Sequence, residues 1–131
     1  MKVGLDTSVV LRLLTGQPAD QAGRAVAFLD AVARRGDRAV VSDLVVAETY
    51  FALQYHYNVP KSEAIAALRR LFQDGEIEST GVAPTVLALG RLASARPGLV
   101  DRLIHGGYLE GDGGMATFEK AAEKLDSVEV L

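Results

Sequence analysis

The sequence predicts an α/β layer fold around a mostly parallel sheet of about five short strands, and three features predict it. Short apolar runs of the kind that fill buried strands recur from one end of the chain to the other. Between them lie longer segments whose apolar residues return at helical spacing. Gly, Pro and small polar residues punctuate the junctions, so the chain reads as strand and helix in alternation.

The first strand opens at Lys2 and ends on Asp6. Thr7 and Ser8 after it are helix-opening residues, because short side-chain oxygens cap free backbone N–H groups. That helix runs to Leu14 and stops at Thr15-Gly16-Gln17-Pro18, where Pro18 is placed to open the next. Ala22, Val26, Leu29 and Ala33 mark a second helix that closes at Arg34-Arg35-Gly36. Arg38-Ala39-Val40-Val41 is the second strand. Ser42-Asp43 caps a third helix through Tyr55, ending near Asn58 before Pro60. A fourth covers residues 62–72, with Ile65, Leu68, Leu71 and Phe72 on one face. Residues 77–80 form a polar edge strand, and 84–95 a fifth helix ended by Pro97-Gly98. Leu99-Val100-Asp101-Arg102-Leu103-Ile104 opens a sixth, which Gly106 and Gly107 weaken. Met115-Ala116-Thr117-Phe118 is the fourth strand, 119–125 a small helix, and Val128-Glu129-Val130-Leu131 the last strand.

A chain of 131 residues is one domain with room for a real core. It has no cysteine, which rules out disulfides and thiolate zinc sites and suits a cytoplasmic location. No apolar run has the length of a membrane span, so no membrane partner is expected. The net charge of −3 is unfavourable for a polyanionic partner at first sight. With four acids gathered on a metal, however, the rest of the chain is close to neutral, so the total decides nothing.

Four acids carry the functional reading. Asp6 ends an apolar strand, where an ionised carboxylate serves either as a helix cap or as a metal ligand. Glu48 sits in an apolar helix among Val45, Val46, Ala47 and Phe51, so it lies on a solvated stripe or is buried with a partner. Asp101 opens a helix, where it complements the dipole or binds an ion. Glu119 follows the fourth strand. If the chain winds outward from strand one and returns on its other side, strands one and four are neighbours, and Asp6 and Glu119 share the crevice where ligands of parallel sheets sit.

The stretches Leu5-Asp6-Thr7-Ser8-Val9-Val10-Leu11-Arg12, Val41-Ser42-Asp43-Leu44-Val45-Val46-Ala47-Glu48, Val100-Asp101-Arg102-Leu103-Ile104 and Ala116-Thr117-Phe118-Glu119-Lys120, in that order, lead to Val128-Glu129-Val130-Leu131. Together they resemble the PIN domains, and within them the VapC-type toxins of bacterial and archaeal toxin–antitoxin pairs. The resemblance covers nearly the whole chain. It implies a single PIN-like domain over residues 1–131, three-layered α/β/α. It also implies an endoribonuclease toxin that holds Mg²⁺ or Mn²⁺ on Asp6, Glu48 and Asp101, directly or through water, with Glu119 near the fourth acidic place. Thr7 and Thr117 would orient waters or carboxylates. A cognate antitoxin, whose segment lies across the toxin, and a homodimer are implied as partners beside the RNA substrate. Two departures stand out. The family usually has Asp where this chain has Glu119, and His105-Gly106-Gly107-Tyr108 replaces small helix formers.

Carboxylates suit this chemistry because Mg²⁺ prefers oxygen ligands and keeps several waters. A metal-activated water can attack the phosphodiester with no covalent nucleophile, and the resemblance implies that it leaves a 5′-phosphate and a 3′-hydroxyl. His105, four residues after Asp101, is a less fitting ligand for a hard cation, and His56 is structural. Arg12, Arg102 and Lys120 are placed to touch an RNA backbone or to be solvated. Tyr50, Phe51, Tyr55 and Tyr57 on one helix are core in part and otherwise a groove or dimer surface. Two other readings remain: an inactive PIN-like binding protein, which Glu119 keeps open, and a receiver-like phosphoacceptor, which would need an acidic pair at the first strand and an Asp ending a central one.

Overall fold

The computed structural model describes all residues, Met1 to Leu131. β1 (Lys2–Gly4), β2 (Arg38–Val41) and β3 (Ile77–Ser79) form one parallel sheet in that order, with Val3 beside Ala39 and Ala39 beside Ile77. β4 (Met115–Thr117) and β5 (Val128–Val130) form a second parallel pair. The helices are α1 (Thr7–Thr15), α2 (Ala19–Arg34), α3 (Asp43–Tyr55), α4 (Lys61–Gln73), α5 (Ala83–Leu87) and α6 (Leu99–Glu110), with 3-10 turns at Leu92–Ser94 and Lys120–Lys124. The mixed α/β class and the parallel strands stand as expected from the sequence. The assumed neighbouring of strands one and four does not: β1 is an edge that makes no ladder with β4, so the five short parallel strands pair as two sets. Each of the two strands is only three residues long and has a parallel partner on its other side, β2 for β1 and β5 for β4.

Helices cover this framework and enclose one core. Val10 of α1, Val41 of β2, Val46 of α3, Leu68 of α4, Leu87 of α5 and Leu99 of α6 are all essentially without solvent contact. Burial of such side chains is the main stabilising term, on the order of 1.5–3 kcal/mol each. The edges of the sheet are tied electrostatically. The Met1 ammonium donates to Asp37 at 2.8 Å and Arg35 to the other oxygen at 2.6 Å, which holds the Asp37 carboxyl below its usual range. Arg38 of β2 pairs with Glu78 of β3.

Two elements differ from the sequence expectation, each for a visible reason. The helix expected over 84–95 ends at Leu87. Arg69 of α4 donates to the carbonyls of Leu87 and, at 2.9 Å, Leu89, so the carbonyls that would carry the helix on are capped by a guanidinium. Beyond them Gly90 favours a break, and Arg91 is left-handed with φ 58°. The sixth helix, expected to weaken at its glycines, runs through both to Glu110. A Cβ on Gly106 would stand 2.6 Å from Val82 Cγ2, so this glycine is what lets α6 approach the start of α5. The packing gained there outweighs the propensity cost of about 1 kcal/mol.

Candidate metal and nucleic-acid site

Asp6 occupies the N-cap position of α1 with extended backbone, φ −77° and ψ 162°, yet its carboxylate accepts no N–H from the helix. Only the Ser8 hydroxyl approaches it, at 3.5 Å. The backbone carbonyl of Asp6 accepts from Val9 and Val10 at 3.0 and 3.1 Å, so the helix starts without help from the side chain. Ser42 shows the contrast: at the same position on α3 its hydroxyl accepts from Val45 N–H at 3.2 Å. Of the two roles open for Asp6, capping is therefore not the one it performs.

Glu48 projects from α3 into solvent, and its Oε1 accepts from the Thr7 hydroxyl at 2.9 Å. That bond joins the first turn of α1 to the middle of α3 and holds Glu48 beside the residue that follows Asp6. Asp101, in the first turn of α6, lines a crevice of about 210 Å³ together with Thr117, Glu119, Ile104 and Tyr108. Thr117 Oγ1 accepts the Glu119 N–H at 3.0 Å. Glu119 Oε1 in turn accepts from Ala121 N–H at 3.2 Å and caps the 3-10 turn that follows. One of its two oxygens is thus committed to the backbone.

The structure brings the predicted residues together in two sets: Asp6, Thr7 and Glu48 around the start of α1, and Asp101, Thr117 and Glu119 around the start of α6. α3 packs against both α1 and α6. No three acidic side chains close around one point. All four acids are exposed, and the chain's ion pairs, formed by Asp37 and Glu78, involve none of them. An all-oxygen, uncompensated donor set fits a hard divalent cation in its chemistry.

The remaining candidates separate cleanly. His105 is buried on α6, 8% exposed, and its Nε2 lies 2.7 Å from the Asp126 carbonyl; since a carbonyl only accepts, this nitrogen donates, and the ring pins the turn before β5. Arg102 donates to the Pro97 carbonyl at 2.7 Å, and Arg12 to Gln21 Oε1 at 2.7 Å, while Lys120 is solvated. His56 is exposed at the end of α3. Tyr50 is core, and burial pushes its phenol above the ordinary range. Phe51 and Tyr55, stacked with centroids 6.2 Å apart, face out at 44% and 74% exposure. The sequence reading had no hold on Asp43, whose carboxylate accepts from Val82 and Ala83 N–H at 3.0 Å each and anchors α5. Its only sequence signal was its place after Ser42, which suggested a cap for α3.

The Thr7–Glu48 bond gives one expected result. Thr7→Val keeps the shape and removes the hydroxyl, and groups that orient a ligand typically contribute 10–100-fold to activity or metal affinity. If Glu48 acts on a bound ion as the resemblance implies, Thr7→Val weakens Mn²⁺ binding about tenfold with little change in the melting temperature. Undiminished binding in the variant would separate Glu48 from the ion.

No curated protein and no solved structure matches the chain significantly. No helix is long and apolar enough to cross a membrane. The family model described as PIN domain matches residues 3–127, an interval that takes in all four exposed acids and both threonines, and the chain therefore belongs to the PIN-domain family.

Proposed function

We propose that the protein is a metal-dependent endoribonuclease acting as the toxin of a toxin–antitoxin pair. PIN domains are generally nucleases, and they typically use divalent metals. The observation that carries the reading is Asp6: a carboxylate at a helix N-cap that caps nothing, one residue before the Thr7 hydroxyl that holds Glu48. A carboxylate at a cap position that makes no cap bond is free to serve as an oxygen ligand for a hard cation.

In this reading Asp6, Glu48 and Asp101 hold Mg²⁺ or Mn²⁺. The ion, when bound, supplies a nucleophilic water at neutral pH and offsets charge on the attacked phosphate. Thr7 fixes the Glu48 carboxylate through its hydroxyl. Glu119, with Oε1 on Ala121 N–H, has its other oxygen free to accept from a water, and Thr117, whose Oγ1 accepts the Glu119 N–H, keeps its O–H to donate to one. Water adds across the P–O3′ bond, leaving a 5′-phosphate and a 3′-hydroxyl. The exposed Phe51 and Tyr55 are the surface we assign to protein partners, a cognate antitoxin or a second copy in a homodimer, in the cytoplasm.

The commitment of Glu119 to a cap favours one second reading, a PIN-like binding protein without activity. The receiver-like reading has no support in a chain of this family. Incubation of RNA with the protein and Mg²⁺ or Mn²⁺, with a chelator control and Asp6→Asn, decides between the first two. Cleavage that needs both metal and Asp6 supports the nuclease; intact RNA under all conditions supports the binding protein.

A further inference from the structure

Beside the Asp6 end of β1, α1 and α2 leave a cleft of about 640 Å³, within the range of small-ligand sites. Ser8, Val9 and Arg12 of α1 and Gln21, Arg24 and Phe28 of α2 line it. Its Ser8 wall adjoins the acids, since the Ser8 hydroxyl stands 3.5 Å from Asp6 Oδ2.

The cleft is cationic where its neighbour is anionic. Neither Arg12 nor Arg24 belongs to an ion pair. Arg12 uses its Nε–H on Gln21, which holds the guanidinium in place and leaves its terminal N–H groups for a ligand. Phe28 adds a partly exposed aromatic wall, with the Arg35 guanidinium 5.8 Å from its ring centroid. Two unpaired guanidiniums facing one cavity suit an anion that offers paired oxygens, a carboxylate or a phosphate, and beside a nuclease site the backbone phosphates of the substrate are the anions at hand. A strand lying in the cleft is already next to the carboxylates.

We propose that this cleft holds the RNA strand beyond the phosphate being cut, with Arg12 and Arg24 on backbone phosphates and Phe28 against a base or sugar. The inference rests on the nuclease reading and adds to it the path of the strand. It distinguishes α1 and α2 as the substrate side of the molecule.

The test is binding of a short, fluorescently labelled single-stranded RNA of mixed sequence, followed by anisotropy between about 50 and 200 mM salt. Asp6→Asn serves as the parent so that the strand stays intact. Each phosphate neutralised on a single strand contributes about 0.7 to the slope of log K against log salt. Arg24→Gln therefore lowers the slope by about 0.7 and weakens binding about three- to tenfold at low salt. Arg12→Gln does the same, and Arg24→Lys, which keeps the charge, restores the slope. Phe28→Leu weakens binding about fivefold without changing the slope. Arg24 is exposed and makes no tie to the rest of the fold, so its variants fold even if Arg12→Gln does not. Unchanged slopes in the arginine variants of a parent that binds RNA overturn the cleft assignment alone and leave it to an acidic protein segment. A parent and a wild type that both fail to bind RNA overturn it together with the nuclease reading.

Discussion

Asp6→Asn lowers metal-dependent RNA cleavage by about a hundredfold or more and leaves the melting temperature of the metal-free protein unchanged or raised. The first half follows from the ligand role. Outer partners of metal ligands already contribute 10–100-fold, and Asp6 is assigned to the ion itself. The second half follows from what its carboxylate does not do. A capping Asp accepts a helix N–H, and its loss costs about 1 kcal/mol; the Asp6 carboxylate accepts none. Asn keeps the shape and removes a charge one residue from the Thr7 hydroxyl that holds Glu48, so no favourable interaction is lost when no metal is present. Ser42→Ala is the internal reference, because Ser42 does cap its helix and its loss should cost about 1 kcal/mol. A fall of several degrees in Asp6→Asn, matching Ser42→Ala, would return Asp6 to the role of a cap.

Asp43→Ala has the opposite signature, a loss of about 2–4 kcal/mol of stability with cleavage per folded molecule retained. Its two oxygens accept from Val82 and Ala83 N–H, and hydrogen bonds to a charged group contribute about 1.5–3 kcal/mol each. Truncation leaves both partly buried donors without a partner. The fit is close: a Cβ on Gly81 would lie 2.3 Å from Asp43 Oδ2. Asp43→Asn, which keeps one acceptor oxygen, should lose about half as much. Chemical denaturation with an unchanged m-value measures both. A stable but inactive Asp43→Ala would move Asp43 from the scaffold into the site.

These two aspartates mark how far the sequence could be read. Both stand at a strand-to-helix junction; from the sequence Asp6 is a cap or a ligand, and Asp43 only part of the cap of α3. What separates them is long-range: the partners of Asp43 lie in α5, 39 and 40 residues away, and no local rule predicts that contact. The strands and most helices were legible because periodicity and breakers are local signals. The two misread segments were decided by tertiary contacts that outweigh propensity, Arg69 on the α5 carbonyls and Gly106 against Val82. The neighbouring of β1 and β4 rested on an assumed winding, and the structure divides the sheet there. Of the α1–α2 cleft the sequence offers only Arg12, as a residue placed to touch an RNA backbone; Arg24 joins it in one cleft only when the two helices pack.

Everything functional in this account depends on Asp6, Glu48 and Asp101 acting on the same ion from three different elements. Calorimetric titration of Mn²⁺ into the wild type, Asp6→Asn and Asp101→Asn measures this without any RNA. The account predicts saturable binding to the wild type that weakens at least about tenfold in each variant. Binding by Asp101→Asn as tight as that of the wild type would contradict it.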